Sequence, residues 1–130
     1  MGIGDRHADN IMITAWGHLF HIDFGHFLGN FKSKFGVKRE RSPFVFTPEM
    51  AFVMKTCGVP GASYTDFENI CCDAYNMLRS RATLFINLFV LMIPAGMPEL
   101  VHRENVRYMR DMLALDLTDI DAVVAAGYCE

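Results

Sequence analysis

The chain has 130 residues, of which 52% are hydrophobic, so it can bury a core and is not a disordered tail. Its formal net charge of −3 argues against a general polyanion-binding surface, and we expect no nucleic-acid partner. The longest apolar run, 84–96, is interrupted by Asn87 and Pro94 and is shorter than the roughly 20 residues that span a bilayer, which predicts no transmembrane segment.

The first predicted element is a β-hairpin over residues 11–23, where apolar and polar residues alternate and β-branched and aromatic side chains are frequent. We place its turn at Trp16-Gly17, so that the numbers of opposed residues sum to 33 and Asn10 faces Asp23. Directly opposed residues have Cα atoms about 4.5–5.5 Å apart. The sequence therefore predicts a carboxamide beside a carboxylate at the open end, even if the register slips by one or two residues.

Two converging oxygen ligands suit Mg²⁺, which usually takes only one or two protein oxygens and completes its shell with water and phosphate. In kinases, an Asn and the Asp of an Asp-Phe-Gly motif hold the metal on the ATP phosphates. The tripeptide Asp23-Phe24-Gly25 follows the second predicted strand. Asn10 and Asp23 are therefore the predicted ligands of a metal and of the nucleotide that it accompanies.

The residues before the hairpin, Asp5-Arg6-His7-Ala8-Asp9-Asn10, carry a second polar cluster. Protein kinases have the order His-Arg-Asp with an Asn five residues after the Asp. Here the spacing from Asp5 to Asn10 is kept, but the His follows the Arg. The histidines of this region have no spacing typical of structural zinc sites, so we do not expect zinc.

Residues 24–47 are rich in Gly, Lys and Arg and are predicted to form a loop that ends near Ser42-Pro43. Within it, the basic segment, residues 32–41, carries five basic side chains against one acid, a local net charge of +4 in a chain whose remainder carries −7. Such a concentration predicts a local anion-binding site.

The remaining signals are helical. Thr47-Pro48 predicts a helix start, with Thr as N-cap and Pro at the first helical position. Thr65 and Glu68 have the spacing of a capping box that opens a helix ending near Arg81. Three further helices are predicted: an apolar, buried helix over 83–93, an amphipathic helix over 103–114, and a short helix over 119–126 capped by Thr118.

Together these motifs resemble a known family. GDRHADNIM followed by HIDFGH resembles the catalytic and activation loops of phosphoinositide 3-kinases, and GNFKSKFGVKRERSPF is similar to the activation loop of their class I catalytic subunits. The resemblance continues through residues 74–100 and weakens after about 115. It implies an α+β fold, the mainly helical part of a kinase C-lobe with a small β-hairpin. Residues 1–26 would hold the catalytic and metal loops, 27–47 the activation loop, and 48–130 the helical part.

The resemblance also implies the chemistry: ATP-dependent phosphorylation of the 3-hydroxyl of a membrane phosphoinositide. Asn10 and Asp23 would hold Mg²⁺ on the ATP phosphates. His7 would lie nearest the reacting hydroxyl, and either His7 or Asp5 would take its proton, since imidazole can accept a proton near neutral pH. His26 would reach the γ-phosphate, and Arg6 would brace the loop.

The same resemblance assigns the basic segment to substrate selection. Lys38 and Arg39 match the pair that contacts the inositol 4-phosphate, Lys32 matches a lysine for the 5-phosphate, and Lys34 is a further cation. The implied substrate is the 4,5-bisphosphate. The implied setting is a cytoplasmic protein recruited peripherally to the plasma membrane, with a regulatory subunit as a further partner.

Three function classes remain open from sequence, the first of which is the catalytic and activation segments of a class I phosphoinositide 3-kinase. The 130 residues contain neither a Gly-rich phosphate loop nor an ATP-pairing lysine, so the isolated chain is expected to be inactive as a kinase. It could instead be a non-catalytic fragment that binds anionic lipids through the basic segment. It could also be part of a protein kinase of the same superfamily, although the basic segment weighs against that reading.

Overall fold

A computed structural model of the chain describes residues 2–38, 46–56, 63–100 and 102–127, without the side chains of Lys34 and Lys38. Helices dominate these residues and two short hairpins precede them, so the predicted α+β, mainly helical fold is confirmed. The strands are β1 (Ile11–Ile13), β2 (Leu19–His21), β3 (Ser33–Lys34) and β4 (Val37–Lys38), and the helices are α1 (Pro48–Thr56), α2 (Tyr64–Ser80), α3 (Ala82–Met92), α4 (Arg103–Met112) and α5 (Asp119–Ala125).

The hairpin of β1 and β2 forms where predicted, but its register was wrong by one residue. Ile11 pairs with His21 and Ile13 with Leu19, so opposed numbers sum to 32. The reason is the turn: Thr14 closes a three-residue loop, donating its N–H to the carbonyl of His18 at 2.9 Å. Asn10 is consequently paired with Ile22, and Asp23 lies one residue beyond.

A second hairpin, β3–β4, lies inside the stretch predicted as loop. Ser33 pairs with Lys38 and Lys34 with Val37. Both turn residues between them, Phe35 and Gly36, have left-handed backbones with φ of +53° and +78°. A two-residue hairpin of this kind requires positive φ at both central positions and normally takes Asn-Gly or Asp-Gly, so Phe-Gly gave no recognisable signal.

The start of α2 also differs from the prediction. Its capping box uses Ser63 and Asp66 rather than Thr65 and Glu68. The N–H of Asp66 donates to the Ser63 hydroxyl at 3.1 Å, and the Asp66 carboxylate accepts from the Ser63 N–H at 2.8 Å. These hydrogen bonds from Ser63 lower the pKa of the Asp66 carboxyl. The two candidate boxes are two residues apart, and spacing alone could not separate them.

The other helix boundaries agree with the sequence. Pro48 is the first residue of α1, and the Thr47 hydroxyl accepts a hydrogen bond from the N–H of Met50 at 3.3 Å. Thr118 caps α5 through the N–H of Asp121 at 3.2 Å. Gly96, with a left-handed φ of +73°, ends the 3₁₀ turn that follows α3. The starts of α1 and α5 are therefore set by the cap residues that predicted them.

The chain divides into two compact units. The first comprises Met1–Val45 and Phe89–Met109, and its described core includes Leu28 and Leu100, which are fully buried, with Val106 and Met109 of α4. This unit contains every predicted site residue.

The second unit comprises Phe46–Leu88 and Arg110–Glu130. Here α2 is joined to the segment before α5 by two side chains. The Tyr75 hydroxyl donates to the carbonyl of Met112 at 2.8 Å, and the Arg79 guanidinium donates to the carbonyls of Leu117 and Thr118 at 2.6 and 3.2 Å. Burial raises the pKa of Tyr75, partly offset by the nearby Arg79 charge.

The prediction that the helix over 83–93 is buried is wrong for α3. Ala82 is buried, whereas Leu84, Leu88 and Leu91 are exposed. A helix that is apolar on nearly every face needs cover on all sides, and the described residues supply little of it. Among them, no single helix is long and apolar enough to cross a membrane, although α2 with α3 and its 3₁₀ turn passes that test as a bent pair by length and composition alone.

Candidate active site

Arg6 ties the loop before β1 to the end of the β1–β2 hairpin. Its guanidinium donates to the carbonyls of Asn10 at 3.3 Å, Ile22 at 2.8 Å and Asp23, while its Nε donates to the carbonyl of Gly4 at 2.7 Å. The planar guanidinium has five donors in a fixed fork, which suits several carbonyls at once. One side chain thus holds the backbone of both predicted metal ligands.

The segment after the Asp-Phe-Gly motif is fixed from both sides. The N–H of Gly4 donates to the carbonyl of His26 at 2.7 Å. Farther along, the buried Asn105 of α4 donates its side-chain amide to the carbonyl of Leu28 at 3.1 Å. Gly29 lies against the Tyr108 ring, where a Cβ would come within 3.1 Å of ring carbons, and its φ is +82°. These contacts anchor the segment around Leu28 and Gly29 on α4.

Asn10 is buried, and its side chain is oriented by its neighbours. Its Nδ2 donates to the carbonyl of Asp5 at 2.7 Å, and its Oδ1 accepts from the N–H of His7 at 3.0 Å. A carbonyl oxygen has two lone pairs, so Oδ1 keeps one for a further partner. The amide is therefore held in one orientation by the loop that precedes it.

Asp23 is exposed and has a left-handed backbone with φ of +60°. Its Oδ1 accepts a hydrogen bond from the N–H of Gly25 at 3.3 Å. Asp5 shares this backbone conformation, with φ of +53°. Left-handed residues other than glycine are uncommon and cluster at functional sites, where the surrounding structure enforces them.

The donor set at Asn10 and Asp23 fits a hard divalent cation, because each residue offers an oxygen and their backbones are held by the same guanidinium. Within the described residues, no group of three His, Cys, Asp or Glu side chains could hold a metal by itself. An ion at Asn10 and Asp23 would thus complete its shell with water and phosphate, as Mg²⁺ does in kinases.

His7 lies between the carboxylates of Asp5 and Asp9, with its Nε2 4.0 Å from Asp5 Oδ2 and its Nδ1 3.7 Å from Asp9 Oδ2. The N–H of Asp9 approaches Nδ1 at 3.3 Å, and the Asn10 amide approaches Nε2 at 3.2 Å. A neutral imidazole accepts at only one ring nitrogen, so only one of these contacts is a hydrogen bond in a given tautomer. The ring therefore lies within 4.0 Å of both carboxylates.

Lys32 reaches back to the same carboxylate. Its Nζ lies 3.1 Å from Asp5 Oδ2, and the two side chains are 54% and 10% exposed. Sequence reasoning assigned Lys32 to a substrate phosphate and did not anticipate this ion pair, because the two residues are 27 positions apart. The oxygen that faces His7 is therefore also the oxygen that faces a lysine of the basic segment.

His26 is half-buried, and its Nδ1 lies 3.0 Å from the carbonyl oxygen of Asn30. Because a carbonyl can only accept, Nδ1 carries the proton in this hydrogen bond and Nε2 remains for another partner. The predicted role at the γ-phosphate stays a prediction.

The rest of the basic segment lies beyond Lys32. Lys34 is in β3 and Lys38 in β4, while Arg39 lies outside the described residues. Their predicted contacts with inositol phosphates are untested. Asn105 and Tyr108, which anchor the loop, were missed because their partners are far away in sequence and only their helical spacing was visible.

Comparisons with known proteins agree on one family. The family model described as phosphatidylinositol 3- and 4-kinase matches residues 1–102. The chain is 53% identical over 119 residues to phosphatidylinositol 3-kinase 1 and 56% identical over 122 residues to phosphatidylinositol 3-kinase 2, both of Dictyostelium discoideum. It is 46% identical over 122 residues to the human phosphatidylinositol 4-phosphate 3-kinase C2 domain-containing subunit beta. These alignments cover 92%, 94% and 94% of the chain, which spans 7%, 6% and 8% of the three relatives.

Proposed function

The chain belongs to the phosphatidylinositol 3- and 4-kinase family, and from this premise we propose that it supplies the catalytic and activation segments of an enzyme that transfers the γ-phosphate of ATP to the 3-hydroxyl of a phosphoinositide. Because the chain spans only 7% and 6% of the two Dictyostelium relatives, the reaction is proposed for a protein that joins these residues to an ATP-binding lobe.

The observation that carries the proposal is the bracing of Asn10 and Asp23 by Arg6. Asn10 and Asp23 would hold Mg²⁺ there, and the ion would supply positive charge against the ATP phosphates. Asn10, held by Asp5 and His7, supplies an oriented amide oxygen, and Asp23 supplies the charged ligand. Arg6 keeps the two in register, since phosphoryl transfer depends mainly on positioning and electrostatics.

Proton removal from the inositol hydroxyl is assigned to the pair of Asp5 and His7. Either group could accept the proton: Asp5 would become a neutral carboxylic acid, whereas His7 would become an imidazolium that the Asp5 carboxylate would stabilise. The Lys32 ammonium lies 3.1 Å from Asp5 Oδ2, the carboxylate oxygen that also faces His7. Lys32 therefore joins the proposed proton-accepting pair to the basic segment.

Substrate selection is assigned to the basic segment. Lys38 and Arg39 are proposed to bind the 4-phosphate and Lys32 and Lys34 the 5-phosphate, because lysine and arginine pair strongly with phosphate oxygens. A 4,5-bisphosphate is the proposed substrate. The name of the human relative specifies a 4-phosphate instead, so the two lipids must be compared directly.

The test is a chimera in which the 122 matching residues of the Dictyostelium phosphatidylinositol 3-kinase 2 are replaced by those of this chain. Transfer of labelled phosphate from ATP to the 3-position is expected, and Asp23→Asn should abolish it. His18→Ala, an exposed hairpin residue, is the matched control and should leave the rate unchanged. A chimera as inactive as its Asp23→Asn variant, although folded, would contradict the proposal.

Substrate choice is read from the same chimera with three vesicle-borne lipids: phosphatidylinositol, its 4-phosphate and its 4,5-bisphosphate. The bisphosphate should react fastest, and Lys32→Ala should slow it more than it slows the 4-phosphate. Equal effects on both lipids would contradict the proposed contact of Lys32 with the 5-phosphate.

The isolated chain is proposed to have negligible kinase activity, because a kinase needs a Gly-rich loop and a lysine for the phosphates and neither is in its sequence. Lipid phosphorylation by the 130 residues above a His7→Ala background would refute this.

We further propose that the longer protein is cytoplasmic, with a regulatory subunit, and reaches the plasma membrane peripherally. Fractionation and co-purification of that protein test both points.

A further inference from the structure

Tyr108, on α4, contacts two parts of the chain that lead to the candidate site. Its hydroxyl lies at Gly2, where a Cβ would collide with it, and its ring lies at Gly29, where a Cβ would come within 3.1 Å of ring carbons. The ring also packs edge-to-face against Phe31, with the ring centroids 5.7 Å apart and the planes at 80°. All four residues belong to the first compact unit. One side chain therefore contacts both the loop before β1 and the segment before β3.

Both backbone positions that face Tyr108 are glycines with left-handed conformations. The φ of Gly2 is +58° and that of Gly29 is +82°. A side chain at either position would be strained by the backbone and would also press on Tyr108. The two backbones thus approach the tyrosine more closely than a residue with a Cβ would allow, and the size of the ring determines how far apart they lie.

Further contacts carry this spacing to the polar side chains of the site. The N–H of Gly4 donates to the carbonyl of His26 at 2.7 Å, which joins the two segments that contact Tyr108. Farther along the same segments, Lys32 Nζ lies 3.1 Å from Asp5 Oδ2. The two segments therefore lie side by side and end in this ion pair.

The predicted metal ligands depend on a different side chain. Asn10 and Asp23 have their carbonyls bonded to the Arg6 guanidinium. The contacts of Tyr108 lie instead on the segments that end in Asp5 and Lys32. A change at Tyr108 should therefore move the substrate side of the site more than the metal side.

We propose that Tyr108 is a positioning residue: its ring spaces the segments that carry Asp5 and Lys32, and thereby places the Lys32 ammonium for the inositol 5-phosphate. The inference rests on the proposed function and adds a residue that acts only through the segments it contacts. Leucine in place of the tyrosine would leave a cavity into which its lining relaxes in part. Lys32 would be displaced, and the preference for a lipid with a 5-phosphate should fall.

Hydrogen exchange in the 130-residue chain tests the spacing without any substrate. The Gly4 amide, bonded to the carbonyl of His26, reports on the segments that contact Tyr108, and the Ile22 amide, bonded to the carbonyl of Asn10, reports on the metal-ligand segments. Tyr108→Leu should accelerate exchange at Gly4 about tenfold through the loss of the aromatic contacts, and should leave Ile22 unchanged. Unchanged exchange at Gly4, or equal acceleration at both amides, would overturn the proposal.

The effect on substrate choice is measured in the chimera with the Dictyostelium phosphatidylinositol 3-kinase 2, as the kcat/KM for the 4,5-bisphosphate divided by that for the 4-phosphate. Tyr108→Leu should lower this ratio about tenfold, the effect of losing one hydrogen bond to a charged group, whereas Tyr108→Phe keeps the ring and should keep most of the ratio. Tyr75→Leu, which removes a buried tyrosine of the second unit, should leave the ratio unchanged. A ratio insensitive to Tyr108→Leu, or an equal fall with Tyr75→Leu, would count against the positioning role.

Gly29→Ala gives a second test that does not depend on the folding of Tyr108→Leu. It retains the tyrosine but presses a methyl group on the ring, so it should also lower the ratio. Gly17→Ala is its matched control, because Gly17 has nearly the same φ, +83°, and its Cβ would meet nothing within 4 Å. Equal ratios in these two alanine variants would contradict the proposal.

Lys32→Ala in the same chimera separates this inference from the proposed function. If Lys32→Ala lowers the ratio and Tyr108→Leu does not, the 5-phosphate contact stands and positioning by Tyr108 fails. If Lys32→Ala leaves the ratio unchanged while Tyr108→Leu accelerates exchange at Gly4 alone, the 5-phosphate contact fails and the spacing by Tyr108 stands.

Discussion

Replacing Arg6 by lysine should loosen the end of the β1–β2 hairpin without removing a charge. The Arg6 guanidinium donates to the carbonyl of Asn10, just before β1, and to the carbonyls of Ile22 and Asp23, just after β2. Hydrogen bonds from a charged donor contribute about 1.5–3 kcal/mol to stability when they are buried. The bonds from Arg6 to the carbonyls of Ile22 and Asp23 are exposed, so we take about 1 kcal/mol for each. Lysine cannot reproduce the planar fork.

Losing the bonds to Ile22 and Asp23 should lower the free energy of local opening by about 2 kcal/mol, equivalent to about 30-fold faster exchange. The N–H of Ile22 is the reporter, since it donates to the carbonyl of Asn10 at 3.1 Å. Hydrogen exchange followed by NMR measures this acceleration in the Arg6→Lys variant. Arg110→Lys, on the exposed side of α4, is the matched control.

The Ala122 amide in α5, which donates to the carbonyl of Thr118 at 2.9 Å, serves as an internal standard in the second unit. Exchange at Ile22 should accelerate in Arg6→Lys while exchange at Ala122 stays constant. Unchanged exchange at Ile22 would refute the idea that Arg6 holds the two metal-ligand segments together. Equal acceleration at both amides would also refute it, because it would indicate global destabilisation.

Three further predictions concern stability measured by chemical denaturation. Ser63→Ala should cost about 1 kcal/mol of unfolding free energy by removing the α2 cap, whereas Thr65→Ala should cost little; the reverse order would contradict the cap assignment. Asn105→Ala should cost about 1–3 kcal/mol because the carbonyl of Leu28 loses its partner, and an unchanged denaturation midpoint would contradict this. Burial raises the pKa of Tyr108 above its value in the unfolded chain, so the free energy of unfolding should fall as pH rises above about 10. Tyr108→Phe should reduce that fall, and a pH profile identical to that of the unaltered chain would contradict the prediction.

Short-range chemistry explains which parts of the fold were predictable. Thr47, Pro48 and Thr118 act within one turn of their own helix, so their patterns located α1 and α5 correctly. The α2 cap was displaced by two residues because Ser63 and Thr65 offer the same spacing. The hairpin register was wrong by one residue because the loop length depends on the bonds made by Thr14, which the sequence does not reveal.

The candidate site was partly predictable for a related reason. Asn10 and Asp23 follow from motif order and from the hairpin, and in the corrected register Arg6 donates to the backbone carbonyls of both. Their role as metal ligands stays a prediction. The contact between Lys32 and Asp5 was not predictable, since it depends on how the segment before β3 returns to the loop before β1. The helix α3 was wrongly predicted to be buried because hydrophobic periodicity shows how apolar a helix is and not which residues cover it.

The proposed function depends most on Asn10 and Asp23 sharing one divalent cation, and paramagnetic broadening tests this most directly. Mn²⁺ added with ATP to the labelled chain should broaden the side-chain amide of Asn10 and the backbone amide of Asp23 together, and Asp23→Asn should abolish both effects. Broadening at one residue without the other, or broadening that persists in Asp23→Asn, would contradict the shared site.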